Sequence, residues 1–222
     1  MADRAEIIDL SHVIEDGMVT YKGLPAPHIC DFWTREGSAA SYDDGSTFHI
    51  GRIDMVANTG TYLDSPFHRY VDGADLAALD LAALADVPGV VVRQPWREGI
   101  VIDTEAFAGL EVAGKAVLVH TGWDRHWRTE AYFGAHPFLT PEAADWLASE
   151  GAAIVGIDSA NIDDMHTRAR PVHSRLLGAG IPICEHMTGL ERLPDAGFRF
   201  AAVPPKVKGM GTFPVRAYAL VG

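Results

Sequence analysis

Cysteine is scarce in this chain. Cys30 and Cys184 stand far apart and form no C-x-x-C pair, so neither a disulfide framework nor a sulfur-rich zinc site is indicated, and a reducing compartment fits. Basic charge is short as well: 18 Lys and Arg against 30 Asp and Glu give a net charge of −12, with no cationic stripe to neutralise phosphates. Nucleic acid is thereby a poor partner. Long apolar runs are missing too, since stretches such as LAALADVPGVVV are cut by Asp, Pro or Gly well short of the ~20 residues that a membrane helix needs. The opening MADRAEIIDL carries charge where an export leader would be apolar, so a cytoplasmic protein that does not engage membranes is expected. There is no internal repeat, no low-complexity tract and no Ser/Gly linker, which leaves one domain over 1–222.

What is present alternates between two kinds of segment. IIDLSHVI near the start, VPGVVVRQ at 87–94, GKAVLVHTGW at 114–123, GAAIVGID at 151–158, IPICEHM at 181–187 and the terminal RAYALVG read as buried strands, rich in Val and Ile and bounded by Gly or Pro. TPEAADWLASEG has the marks of a helix, with Thr140 as N-cap, Pro141 at the first position and Gly151 as the stop. PVHSRLLGAG at 171–180 repeats that grammar, and LAALDLAALAD at 76–86 is a further helical candidate. The fold class that follows is α/β, a mixed sheet or small β-barrel flanked by helices.

Two clusters could carry chemistry. In NTGTYLDSPFH, residues 58–68, Gly60 permits a positive φ and Pro66 fixes another angle, so Asp64 and His68 sit on a stiff loop suited to presenting ligands. An Asx-turn followed by a surface histidine would give the same letters. The second cluster, from 155 to 190, contains three Asp, three His and one Glu, with His173 at the start of a short helix and Glu185 inside an otherwise apolar strand. A carboxylate in IPICE is costly to bury without a compensating cation; the plain alternative is a strand end where Glu185 points into water.

NTGTYLDSPFH resembles the H-x-G-T-H-x-D-x-P-x-H signature of the cyclase family of metal-dependent hydrolases, to which kynurenine formamidases and isatin hydrolases belong. The resemblance extends through DLSHVIEDGMVTY, VHTGWD, HPFLTPEAADWL, GIDSANID, PVHSRLL, ICEHMTGLERLP and FPVRAYAL. It implies the family's swivelling β/α architecture, a small-molecule substrate, and a homodimer or tetramer. It also implies that Asp64, His173 and Glu185 are metal ligands and that His68 is a general acid or base. Carboxylates and neutral imidazole suit Zn or Mn, and such an ion brings the pKa of bound water toward neutrality.

The chain departs from the signature at two ligand positions, where Asn58 and Tyr62 stand for histidines. Asn offers a neutral amide oxygen, and a Tyr ligates well only as a phenolate. One divalent ion held by three protein ligands is therefore expected rather than two, acting on a C–N bond of an amide, formamide, lactam or cyclic imide. In a metal-free alternative, Tyr62 donates to an oxyanion and His68 activates water in a hydrolase, an isomerase or a lactone-acting enzyme. A third reading is a pocket that binds a small molecule without turnover. Asn58, Trp33 and Trp123 are candidates for substrate contact, with Trp127 as a further aromatic wall or plain core. DFWTREGSAASYDDGSTF has the composition of a flap or an arm that reaches a neighbouring subunit. His12, His49 and His120 read as core, His126, His136 and His166 as exposed, and His186 as lying on the opposite strand face from Glu185.

Overall fold

Residues 5–222 are described here, in a computed structural model. In chain order the elements are β1 (Glu6–Asp9), β2 (His28–Trp33), α1 (Arg35–Ser38), β3 (Ile50–Asp54), β4 (Tyr62–Asp64), β5 (Val87–Arg93), β6 (Val101–Ile102), β7 (Ala116–His120), β8 (Phe138–Leu139), α2 (Pro141–Ser149), β9 (Ile154–Ile157), α3 (Pro171–Gly178), β10 (Ile183–Glu185), β11 (Ala196–Ala201), β12 (Thr212–Pro214) and β13 (Tyr218–Val221). Nine strands form one mixed sheet in the order β1-β13-β11-β5-β7-β9-β10-β4-β12. The middle of it, β5 to β10, is parallel, and both flanks are antiparallel.

The sheet curls without closing. Its ends are β1 and β12, yet the continuation of β1 bridges back to the segment after β10, through Ser11 paired with Met187 and Thr188 N–H donating to Leu10 O. Of the two expected architectures, the mixed open sheet is the one observed. Inside the curl lies one core, containing Ile8, Leu10, Leu63, Leu118, Met187, Phe198 and Phe200. On the outer side Val90, Val117, Val119, Val155 and Ile157 pack against Leu147 of α2 and Val172, Leu176 and Leu177 of α3. Neighbours in β5 and β7 thus alternate between cores, as a strand covered on both faces must.

Thr140 caps α2 as its spacing predicts, accepting from Ala143 N–H at 3.1 Å. The helix expected over 76–86 does not form; only a 3-10 turn at Leu81–Ala83 appears. Asp75 accepts from the amides two and three residues ahead and Asp80 from the amide two ahead, closing local turns that compete with a continuous helix. Leu76 and Leu84 still reach the inner core. The polar-aromatic segment after residue 30 forms a separate ribbon, β2 paired with β3, that leaves Ile29, Phe32, Trp33, Ile50 and Ile53 exposed. Among the described residues no helix is long and apolar enough to cross a membrane.

Candidate active site

Three short strands, remote in sequence, carry the site. The register pairs Glu185 of β10 with Tyr62 of β4, and Ile183 with Asp64, while Thr212 of β12 pairs with Asp64 from the other side. Strand alternation sends Leu63 and Cys184 into the inner core, so Tyr62, Asp64 and Glu185 share the opposite face. Next to them stands α3, whose buried residues are Val172, His173, Leu176 and Leu177. His173 occupies a core-facing position of an amphipathic helix, which aims it at the strands. The loop from Asn58 behaves as its residues require. Gly60 adopts φ 66°, where a Cβ would meet Ile14 at 2.8 Å, and Pro66 opens the single 3-10 turn that ends at His68. Gly211 allows β12 to approach that turn; a Cβ there would lie 2.5 Å from His68 N.

Asp64, Glu185 and His173 are all buried. The water-facing alternative for Glu185 is thereby set aside. Its Oε1 accepts from Ile162 N–H at 2.6 Å, and its Oε2 accepts from the Tyr62 hydroxyl at 2.6 Å. His173 Nδ1 donates to Asp163 Oδ2 at 2.6 Å, which turns Nε2 toward Asp64 Oδ2 at 3.6 Å and Glu185 Oε1 at 3.7 Å. Asp64 Oδ2 is buried without any hydrogen-bond partner. Burial pushes the Glu185 carboxyl up, but the His173 charge beside it prevails and holds it below the usual carboxylate range. The reverse holds at His173, where burial opposes the charge and the carboxylates of Glu185, Asp163 and Asp64 raise it well above the ordinary histidine range. Three carboxylates around one imidazole are an electrostatic demand for a cation.

Part of the donor set is spaced for a divalent ion: Asp64 and His173 belong to one close group of donor atoms, and Glu185 reaches that group only through its 3.7 Å approach to His173 Nε2. Ligands about 2.0–2.1 Å from a tetrahedral zinc stand roughly 3.3–3.4 Å from one another, close to the 3.6 and 3.7 Å separations from His173 Nε2. The Asp163–His173 bond is the carboxylate–imidazole arrangement that orients a ligating histidine. The third member of that group is His68 rather than Glu185: one donor atom from each of Asp64, His68 and His173 falls within 4.8 Å of the others. Thr212 Oγ1 donates its only proton to Asp64 Oδ1 and lies 2.9 Å from His68 Nδ1. His68 must then donate through Nδ1–H, which leaves its Nε2 lone pair free.

Tyr62 lines the cavity but spends its proton on Glu185. Burial and the Glu185 charge hold its phenol well above the usual tyrosine pKa, so phenolate ligation is disfavoured and an oxyanion could draw on this hydroxyl only by breaking the Glu185 bond. Tyr21 supports it at 3.0 Å and receives a hydrogen bond from Asn161 Nδ2 at 2.9 Å. Asn58, Leu24, Arg69 and Arg170 complete a cavity of about 270 Å³.

Neither Trp33 nor Trp123 lines this cavity. Trp33 packs edge-on to Phe48 in the ribbon, and Trp123 is buried with its indole N–H on Tyr132 O, so neither is available there as a substrate wall. Trp127 stacks on His12 instead. Of the remaining histidines, His136 is buried rather than exposed because Pro137 O and Ser159 Oγ hold its ring inside, and His126 is half-buried against Trp123. His49 reverses the expectation in the other direction, lying exposed and bonded to Asp31. His12 and His120 are half-buried, and His166 is exposed beside Asp164. His186 is buried, but the strand is not regular there: its φ is 54°, and Nδ1 meets Tyr132 OH at 2.8 Å. Asp163, Thr212, Tyr21 and Asn161 were not singled out from the sequence. Asp163 is ten residues from the ring it orients and Thr212 lies 148 residues from Asp64, separations at which no periodicity speaks.

A family model described as a putative cyclase matches residues 8–164, and the chain belongs to the cyclase family. Among curated relatives, a kynurenine formamidase of Geobacillus thermodenitrificans is 28% identical, the match covering 95% of each chain. One from Bacillus cytotoxicus is 26% identical, covering 96% of each. Among solved structures, isatin hydrolase A from Labrenzia aggregata, bound to benzyl benzoate, shares the fold with a TM-score of 0.84 at 22% identity, over 98% of this chain and 94% of that one. A structure described as a potential metal-dependent hydrolase with cyclase activity superposes with a TM-score of 0.80 at 25% identity, over 98% of both. The named relatives are hydrolases.

Proposed function

We propose that this protein is a hydrolase of the C–N bond of a small amide, formamide, lactam or cyclic imide, that one divalent ion, Zn or Mn, is held by Asp64, His173 and Glu185, and that His68 moves the proton. The observation that carries this reading is Asp64 Oδ2, buried without a partner and 3.6 Å from a His173 nitrogen that also faces Glu185. When bound, the ion would supply Lewis acidity toward the scissile carbonyl and a more acidic water.

The rest of the work falls to the chain's own groups. His68, anchored by Nδ1–H on Thr212, offers Nε2 as the base that takes a proton from water and returns it to the departing nitrogen. Asp163 keeps the His173 ring in one tautomer and one orientation. Tyr62 holds Glu185 with only Oε1 toward His173, which favours one ion over two. Asn58 faces the substrate from the cavity wall. A homo-oligomer belongs to the same reading, since the exposed apolar ribbon is a surface that a second copy would cover. Two free cysteines suit a cytoplasmic setting.

The test is metal analysis of protein purified without added metal, together with hydrolysis of N-formylkynurenine, isatin and cyclic imides with and without chelator. About one equivalent of metal and chelator-sensitive turnover are expected. Turnover that survives metal removal would move the chemistry to His68 and Tyr62 alone, and bound substrate without turnover would make the protein a binder.

A further inference from the structure

Four uncharged polar side chains, Tyr21, Asn58, Tyr62 and Asn161, line the cavity, and three of them are engaged within the protein. Tyr62 gives its proton to Glu185 Oε2. Tyr21 gives its own to Ala160 O at 2.9 Å and accepts from Asn161 Nδ2. Asn161 uses its other end as well, Oδ1 accepting from Asp163 N–H at 2.9 Å. Asn58 is the exception: among the described residues nothing hydrogen-bonds its side-chain amide.

The backbone beneath that amide is fixed. Thr59 Oγ1 donates to Val56 O at 2.7 Å, Gly60 N–H donates to Thr20 Oγ1 at 3.0 Å, and both Thr59 and Gly60 are buried. A free amide on a held segment is a recognition group whose position is settled before any ligand arrives. It stands where the signature has its first histidine, so what it recognises belongs to this chain and not to the signature. A primary carboxamide carries an acceptor, Oδ1, and a donor, Nδ2, side by side on one edge. Its complement is a group whose N–H and C=O also lie side by side. In a lactam or cyclic imide the ring forces that cis arrangement. An open-chain secondary amide is trans, with N–H and C=O on opposite edges, and meets only one of the two Asn58 groups.

We infer that Asn58 is a specificity-determining residue: Oδ1 accepts the ring N–H of a lactam or cyclic imide while Nδ2 donates to the adjoining carbonyl, so the preferred substrate is a ring amide with no substituent on nitrogen. This rests on the hydrolase reading for turnover, but the pairing itself is measured by binding. Oxindole, acetanilide and N-methyloxindole offer one aryl amide skeleton with a cis N–H, a trans N–H and no N–H. Calorimetric titration of the purified protein with each of the three is the first arm. The second compares kcat/KM on phthalimide and N-methylphthalimide.

The wild-type protein is expected to bind oxindole about tenfold more tightly than either analogue, and to prefer phthalimide to N-methylphthalimide by about the same factor. Asn58→Leu keeps the bulk of the side chain and Asn58→Ala removes it; both should bring every one of these ratios to within about twofold. A preference lost in Asn58→Ala but kept in Asn58→Leu is steric and overturns the pairing. So does equal binding of the three probes, or no binding of oxindole, even in an active hydrolase. An oxindole preference that depends on Asn58, with no turnover of either imide or of any formamide, supports the pairing and defeats the hydrolase reading instead.

Discussion

His173 and His186 are both buried, and both belong to the surroundings of the Tyr62–Glu185 pair, yet they are opposites. His173 stands among Asp64, Asp163 and Glu185, and those carboxylates raise its pKa. His186 lies among the rings of Tyr21, Tyr62, Trp127 and Tyr132, where burial, only partly opposed by Glu185, lowers it to about 3. Depth is the same in both cases, so it is compensation by neighbouring charge that decides which imidazole carries a proton or could serve a metal. Tyr62 is where the two regions join, its ring on His186 and its hydroxyl on Glu185. The aromatic region fixes position, and the carboxylate region gathers the groups that the proposed chemistry would use.

The contrast can be broken hardest at Glu185. Glu185→Gln is expected to lose the bound metal and all measurable turnover, with metal content read by mass spectrometry. His68→Ala should instead retain the metal while turnover falls about 10²- to 10⁴-fold, and loss of metal in that variant would move His68 among the ligands. Asp163→Asn should weaken metal binding about 10- to 100-fold in competition with a chromophoric chelator, since an amide keeps only one acceptor oxygen and cannot hold His173 Nδ1 together with the Val172 and His173 amides at the start of α3.

Smaller effects sharpen the aromatic side. Tyr62→Phe leaves Glu185 Oε2 buried without its donor, which should cost about 1–3 kcal/mol of stability in denaturant unfolding. His12, stacked on Trp127 at 4.1 Å, is held neutral because burial lowers its pKa from 6.5 to about 4, against a weaker opposing pull from Asp124. The unfolded chain therefore binds a proton that the folded one refuses, and stability attributable to this residue is lost as pH falls from 6.5 toward 4. His12→Phe should flatten the stability profile in that window by at most about 1.4 kcal/mol per pH unit.

Much of this was legible from local rules. The Val- and Ile-rich runs gave the central parallel strands, Thr140 and Pro141 marked α2, and the signature around Asp64 located one wall of the cavity. Where reading failed, a distant partner had decided. β12 is three residues long and holds Thr212 against Asp64 only because β4 lies beside it. Asp163 is indistinguishable in sequence from Asp164, which binds the exposed His166. The run 76–86 has helical composition, yet Asp75 just before it and Asp80 within it each cap a short local turn instead.

Register has a consequence for how such a site can change over time. Tyr62, Asp64 and Glu185 occupy alternate rungs of strands only three residues long, so residue exchanges at these rungs keep the strand register even where they cost stability. A single inserted residue in β4 would instead rotate Leu63 into the cavity and bury an aspartate in hydrocarbon. Substitution at these rungs is therefore compatible with the register, and insertion or deletion is not.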